Sequence, residues 1–258
     1  MVEERKEIDQ EYKWDLTQVF NSEEEWQNKY EKVRSELEEI EEHRGELTES
    51  AEKLLKALKA KDQLMRDIAE LSAYARMKTH EDMRNQEAQE LKSKADSLQS
   101  AAAAKVAFYQ PEIKQMSEGQ VEEFVEKKSE LEDYRHYMDN VLRMKEHILD
   151  IETESMLNEL GEVFSAPEET YSMLTNADLS FPEIEHDGEK IQVTASNLTK
   201  LLKKKDRGLR EKVYNQFYGR LGEFRNTITT MMDKEVKKNV KLSRIRGHDS
   251  ARKASLKN

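Results

Sequence analysis

The sequence predicts a mostly α fold, with long antiparallel helices forming a helical lobe and one small β-hairpin near residues 179–194. Three observations predict it. Before Pro111 the chain has no proline and Gly45 is its single glycine, so little interrupts helix formation. Apolar residues recur at steps of three and four through most of the chain, the spacing of one helix face. The period changes at LSFPEIEHDGEKIQVT, where Asp187-Gly188 divides Phe181 and Ile184 from Ile191 and Val193, a strong short-range hairpin signal.

Taken in order, Ser22 and Glu25 have capping-box spacing ahead of Trp26, Tyr30, Val33, Leu37 and Ile40, and Gly45 suits the end of that helix. A second helix opens near Thr48 with Ala51, Leu54, Leu55 and Leu58. Its apolar face is interrupted at Lys61-Asp62 and resumes with Met65, Ile68, Leu71 and Ala75. A third carries Ala88, Leu91, Ala95, Leu98 and Ala102, small and large residues in alternation that let helices approach closely. Short connections make these three antiparallel neighbours.

Pro111 reads as a break and the start of a new segment, because proline lacks the N–H donor and restricts the residue before it. Ser117 and Gln120 cap a further helix with Val121, Phe124 and Val125, and apolar positions continue through Leu131, Tyr134, Met138, Val141 and Ile148. Two shorter helices are expected near Thr153–Phe164 and Pro167–Ala177. Beyond the hairpin, Asp206 is a good N-cap for one helix of more than 30 residues, with Tyr214, Phe217, Leu221, Phe224, Ile228 and Met231 as its buried stripe. After Gly247, SARKASLKN begins another helix, and the chain reads as stopping inside an element.

With 258 residues the chain suits one or two domains. It has no cysteine, which excludes disulfides, thiolate-bound zinc and thiol nucleophiles. The start, MVEERKEIDQ, lacks the apolar core of a secretory signal, and the longest run free of Asp, Glu, Lys and Arg is the nine residues Ile191–Thr199, so no membrane span or membrane partner is read. Residues 200–258 carry 18 Lys and Arg against 6 Asp and Glu, a net +12, which leaves −23 of the total −11 on the first 199. The two parts should attract one another. A nucleic-acid partner is not read, because most of the chain would repel a polyanion.

Residue chemistry alone yields no active site. His80-Glu81 opens like the His-Glu-x-x-His zinc signature, but the second histidine position holds Arg84, a cation. His136 and His147 are 11 residues apart, too distant along one helix to share a metal. His43, His186 and His248 fall at predicted helix ends or turns. Glu152 and Glu154 read as solvated helix faces in an acidic background. There is no Gly-x-Ser-x-Gly elbow and no phosphate-cradling glycine loop. On this basis catalytic residues, metal ligands and a resident cofactor are none, and substrate-binding residues are unknown.

Several stretches nevertheless resemble one family. They are Tyr12-Lys13-Trp14-Asp15-Leu16-Thr17 with Phe20, Tyr74-Ala75-Arg76-Met77 with His80-Glu81-Asp82, and Pro111-Glu112-Ile113. The long run from Tyr134 to Val163 follows, then Asn176-Ala177-Asp178-Leu179 with Phe181, Asp206-Arg207 with Arg210, and Arg246-Gly247 with Asp249-Ser250-Ala251-Arg252. In this order they are similar to the amino-terminal portion of the oligoendopeptidase F family, zinc metallopeptidases related to thimet oligopeptidase. His248 stands where that family usually has tyrosine, and Ile151-Glu152-Thr153-Glu154 replaces a more acidic run.

The resemblance implies a parent hydrolase that cuts short peptides in the cytoplasm, with zinc-activated water as nucleophile and glutamate as base. It places the metal-binding helix in a carboxy-terminal catalytic domain beyond this chain, which would be inactive alone and would act as a lid over a channel. It implies an amino-terminal helical hairpin or bundle over 1–112, an oligopeptidase F-type amino-terminal domain over 113–195, and the first catalytic-domain helices over 196–258. Oligopeptides and the missing catalytic domain are the expected partners, and an uncovered apolar face on the 206–243 helix would favour a homo-oligomer. The competing reading is an autonomous helical interaction scaffold.

Overall fold

A computed structural model describes residues 8–257. Residues 1–7, on which part of the reading of a missing secretory signal rests, lie outside the described residues, as does Asn258. The chain forms two compact units, each assembled from separate stretches. Among the described residues the larger comprises 15–81, 85–165 and 238–257, and the smaller 8–14, 82–84 and 166–237. No helix among the described residues is long and apolar enough to cross a membrane.

In the larger unit, α1 spans Glu23–Ile40 and buries Trp26, Val33, Leu37 and Ile40. The Glu25 amide donates to Ser22 Oγ at 3.1 Å, while the Glu25 carboxylate accepts from the Asn21 amide at 2.8 Å, so the expected box closes one residue early. The second helix, α2, runs unbroken from Ala51 to Glu81, 31 residues. At the expected interruption, Asp62 accepts from the Tyr134 hydroxyl at 2.8 Å and Lys61 donates to Tyr137 Oη at 3.1 Å. The polar pair therefore meets polar partners without breaking the helix. Burial and the Asp62 contact push the Tyr134 hydroxyl up to about 12.

Asp67 is buried on α2, where Lys29 of α1 donates to it at 2.6 Å. Burial would raise its pKa, but the bonds from Lys29 and Gln63 outweigh it and hold the group below the ordinary value. Asn85 caps α3, Gln86–Lys105, and all five of the expected residues Ala88, Leu91, Ala95, Leu98 and Ala102 are buried.

The break comes earlier than Pro111. Helix α3 ends at Lys105, and Pro111 lies inside the short α4, Tyr109–Ile113. It occupies the first turn, where an N–H would have no partner in the helix, so the ring is tolerated. Beside it, buried Glu112 accepts from the amides of Gly45 at 2.7 Å and Leu47 at 3.3 Å, clasping the turn after α1.

The chain continues through α5, Glu118–Lys127, capped by Ser117, and α6, Arg135–Arg143. Asp150 caps α7, Ile151–Glu159. Next, α8 spans Gly161–Met173 and holds Pro167 inside it, where the sequence predicted a helix start. The ring disturbs the hydrogen-bond ladder there, and the nearby Phe164 carbonyl accepts from Lys238 Nζ at 3.1 Å.

In the smaller unit, β1, Glu183–His186, pairs antiparallel with β2, Glu189–Gln192, in the register Ile184 to Ile191. Both turn residues have positive φ, 52° at Asp187 and 81° at Gly188, as a two-residue hairpin turn of the favoured hand requires. The capping box of Thr194 and Asn197 starts α9, Ala195–Leu202. Asp206 caps α10, Arg207–Glu223, with the Leu209 amide donating to its carboxylate at 2.8 Å.

The single helix of more than 30 residues does not form. The chain breaks at Phe224, where φ is −98° and ψ 12°, and resumes as α11, Arg225–Ile245. Gly219 and Gly222 weaken the last turn of α10, and Arg220 is held by the Ser180 carbonyl at 3.1 Å and lies over the Phe224 ring. The expected stripe holds in part: Phe217 and Met231 are buried, and Leu221 and Phe224 pack against the core. Leu209, Val213 and Phe217 enter the core with Leu179, Phe181, Ile184, Val193 and Leu201, while Tyr214 is 54% exposed. One residue turns a helix by about 100°, so a core built on 213 and 217 excludes 214. Phe181 and Phe217 stack with centroids 4.5 Å apart. Last, Ser250 caps α12, Ala251–Ser255.

Two outcomes are expected. Glu112→Ala leaves two amides of a tight turn without their acceptor and should cost roughly 2–4 kcal/mol in urea unfolding; a loss near zero would remove the clasp from the account. The Leu209 amide, chiefly, holds the Asp206 carboxyl below its ordinary 3.8, so this cap is in full force above that value and fades as pH falls through the lowered folded value. Hydrogen exchange at Leu209 should lose protection over that acidic window, and Asp206→Ala should abolish the dependence.

Candidate functional site

The histidines are scattered. His80 is exposed near the end of α2, and Arg84 lies past that end, binding Asp82 through Nε at 3.0 Å, so no helix face carries the two positions together. His136 lies on α6 and contacts Asn140 at 2.9 Å, whereas His147 ends a separate 3₁₀ turn, Lys145–His147. The helix expected to hold both stops at Arg143. His43 closes another such turn, its basicity lowered by burial and by Lys56. His147 and His248, 101 positions apart in the numbering, stack with centroids 3.7 Å apart.

Glu154 overturns the reading of a solvated face. Glu152 is exposed, but Glu154 is only 5% exposed. Asp150 accepts from the Thr153 amide at 2.9 Å and so sets the first turn of α7, from which Glu154 points inward. There it accepts from the Leu149 amide at 3.0 Å and from both terminal nitrogens of Arg246, at 2.6 and 2.7 Å. Lys114 Nζ donates to the carbonyls of Ile148 and Leu149, at 2.6 and 2.9 Å, and fixes the same corner. A forked guanidinium meets a carboxylate in its best geometry here. The carboxylate is fully engaged, so this arrangement is a clamp between α7 and the end of α11 and has no free group to activate water. The acidic background hid Glu154, and Arg246 lies 92 positions away in sequence, beyond any spacing rule.

Among the described residues, His186, Asp187 and Asp206 are the one group of three or more His, Asp or Glu side chains placed to share a metal ion, their ligand atoms within 4.8 Å of one another. His186 Nε2 is 3.4 Å from Asp187 Oδ2 and 3.6 Å from Asp206 Oδ2. This group does not fit the zinc site that the resemblance implies: one histidine joins two largely exposed aspartates, one in the hairpin turn and one already capping α10. No hydrolytic step is derived through it. A cavity of about 460 Å³ in the smaller unit is lined by uncharged groups, including Asn176, Ser180, Gln192, Thr194 and Ser196. It offers hydrogen bonds to a neutral amide but no acid or base.

Known proteins match this helical region along its whole length. A family profile described as Oligopeptidase F matches residues 112–181. Oligopeptidase PepF of Bacillus subtilis is 32% identical over 256 residues, covering 99% of this chain and 38% of that protein. An oligoendopeptidase F homolog of Lactococcus lactis is 32% identical over 260 residues, covering 100% of this chain and 43% of its own length. The crystal structure of oligoendopeptidase-F from Enterococcus faecium superposes with a TM-score of 0.84 at 34% identity, over 92% of this chain and 47% of that one. The chain thus spans about two fifths of the length of the curated relatives it matches. A match along the whole chain favours the family reading over a free-standing scaffold. Along its whole length the chain is similar to the amino-terminal portion of oligoendopeptidase F proteins.

Proposed function

We propose that these 258 residues serve as the substrate-gating helical part of a zinc-dependent endopeptidase that cleaves short peptides, with the metal and catalytic groups outside them. The carrying observation is an alignment that fills 99–100% of this chain while using only 38–43% of its relatives. The divisions 1–112, 113–195 and 196–258 belong to the same proposal, the last being the start of the catalytic domain. Oligopeptides are its substrates, and the cytoplasm is its place of work. Lining a passage with long helices favours extended peptides over folded proteins, because a folded domain cannot enter without unfolding. The Arg246–Glu154 clamp supports this division of labour: a buried ion pair that fixes two helices suits a structural part.

Alone, the chain should not hydrolyse a quenched peptide with or without zinc. Mixed with the separately expressed carboxy-terminal remainder of the same reading frame, it should restore hydrolysis that a chelator abolishes. Turnover by the chain alone, or a stable but inactive mixture, would overturn the proposal. Self-association through exposed Tyr214, Tyr218, Met232 and Val236 is part of the same reading. Sedimentation should show a dimer or larger species at tens of micromolar, and a clean monomer would remove that part.

A further inference from the structure

Both ring nitrogens of His147 are committed. Nδ1 lies 2.8 Å from the carbonyl oxygen of Arg246, and a carbonyl only accepts, so Nδ1 carries the hydrogen. Nε2 lies 2.6 Å from Lys257 Nζ, and an ammonium only donates, so Nε2 is bare. Together the contacts require a neutral ring in a single tautomer. The His248 imidazole covers one face of it, at 3.7 Å between centroids and 21° from parallel. Gly247, with φ of +70°, turns the chain sharply between the Arg246 carbonyl and the His248 ring, a conformation other residues adopt only under strain.

The charges around the pair leave little room for a proton. His248 is flanked by the His147 ring and by the cations Lys257 and Arg246, with Asp249 the opposing acid; its burial, first, and these neighbours hold its basicity below the ordinary histidine value. Glu154 is engaged by Arg246 and Asp249 by Lys253, at 2.6 Å in each case. Lys257 is held on a second side, because Arg143 donates to its carbonyl at 2.8 Å. The contacts of 250–257 with the 143–147 region thus include a lysine whose bond exists only while His147 is neutral.

We propose that His147 and His248 form an acid-sensitive latch, which holds the 250–257 segment with α12 in place at neutral pH and releases it when either ring is protonated. A proton on His147 Nε2 turns an acceptor into a donor facing an ammonium and sets two like charges at hydrogen-bond distance. A proton on His248 adds a cation beside Lys257 and Arg246. Release exposes the His248 ring, and an imidazole in water takes up a proton near 6.5. The undocked form therefore binds more protons below that value. Docking is in full force above it and weakens as pH falls, with a limiting slope of about tenfold per pH unit for each ring that must stay neutral.

The test uses the 258-residue chain. Long-range proton–nitrogen spectra at pH 8 should show His147 with its hydrogen on Nδ1. Exchange protection of amides 251–257, corrected for intrinsic rates, should fall at least about tenfold between pH 7 and pH 5 while amides of α2 keep theirs. The double variant His147→Gln, His248→Tyr keeps a polar group and a ring but titrates neither, and should lose this pH dependence. An Nε2-protonated tautomer, protection that does not change with pH, or an unchanged slope in the double variant would each overturn the latch. Should the double variant lose α2 protection, Lys257→Met decides instead. It removes the bond to His147 Nε2 and should lower the protection of amides 251–256 at pH 8, and unchanged protection would count against the proposal.

Discussion

A helix of 31 residues can bury its apolar side only where neighbours run along its whole length, and the larger unit is organised by that constraint on α2. Its core residues Leu54, Leu58, Leu71 and Ala75 sit in one cluster with Trp26, Val33 and Leu37 of α1 and Leu91, Ala95 and Leu98 of α3. Burying each large aliphatic side chain contributes on the order of 1.5–3 kcal/mol. Direction comes from two polar anchors. Trp26 Nε1 donates to the Leu71 carbonyl at 3.0 Å, and the Tyr109 hydroxyl donates to the Ala57 carbonyl at 2.8 Å. Each aromatic ring is thereby pinned to one turn of α2, which sets the register of α1 and α4 against it.

Charge enters this structure at places where the core cannot supply direction. Asp67 with Lys29, Glu112 with two turn amides, and Glu154 with Arg246 are each a buried carboxylate joining segments far apart in sequence. A buried carboxylate left alone is costly, so each of these groups accepts only an arrangement that brings its donor. The net division of −23 and +12 along the chain has a local counterpart here, since Arg246 of the basic stretch satisfies Glu154 of the acidic one within a single compact unit.

Much of the fold was legible beforehand. Helix starts at Ser22, Ser117 and Asp206, the five buried positions of α3 and the hairpin turn at Asp187-Gly188 follow from capping, periodicity and turn stereochemistry, which act over a few residues. The misplacements share a cause. At Pro111, Pro167 and Phe224 a local rule was applied without the neighbour that overrides or reinforces it: the first turn of α4 around Pro111, the Lys238 contact near Pro167, and the Arg220 contacts at Phe224. The Glu154–Arg246 clamp and the His147–His248 stack were not legible, because no spacing rule joins positions about 90 to 100 apart.

By itself the sequence determined the helical class, the hairpin at Asp187-Gly188, most capping residues and the family resemblance, because these depend on residue type and short-range order. Only the tertiary structure decided which carboxylates are buried, which face of α10 enters the core, and which histidines meet. Those outcomes depend on competition for a limited interior, and a residue's share of it is set by partners that its neighbours in sequence do not reveal.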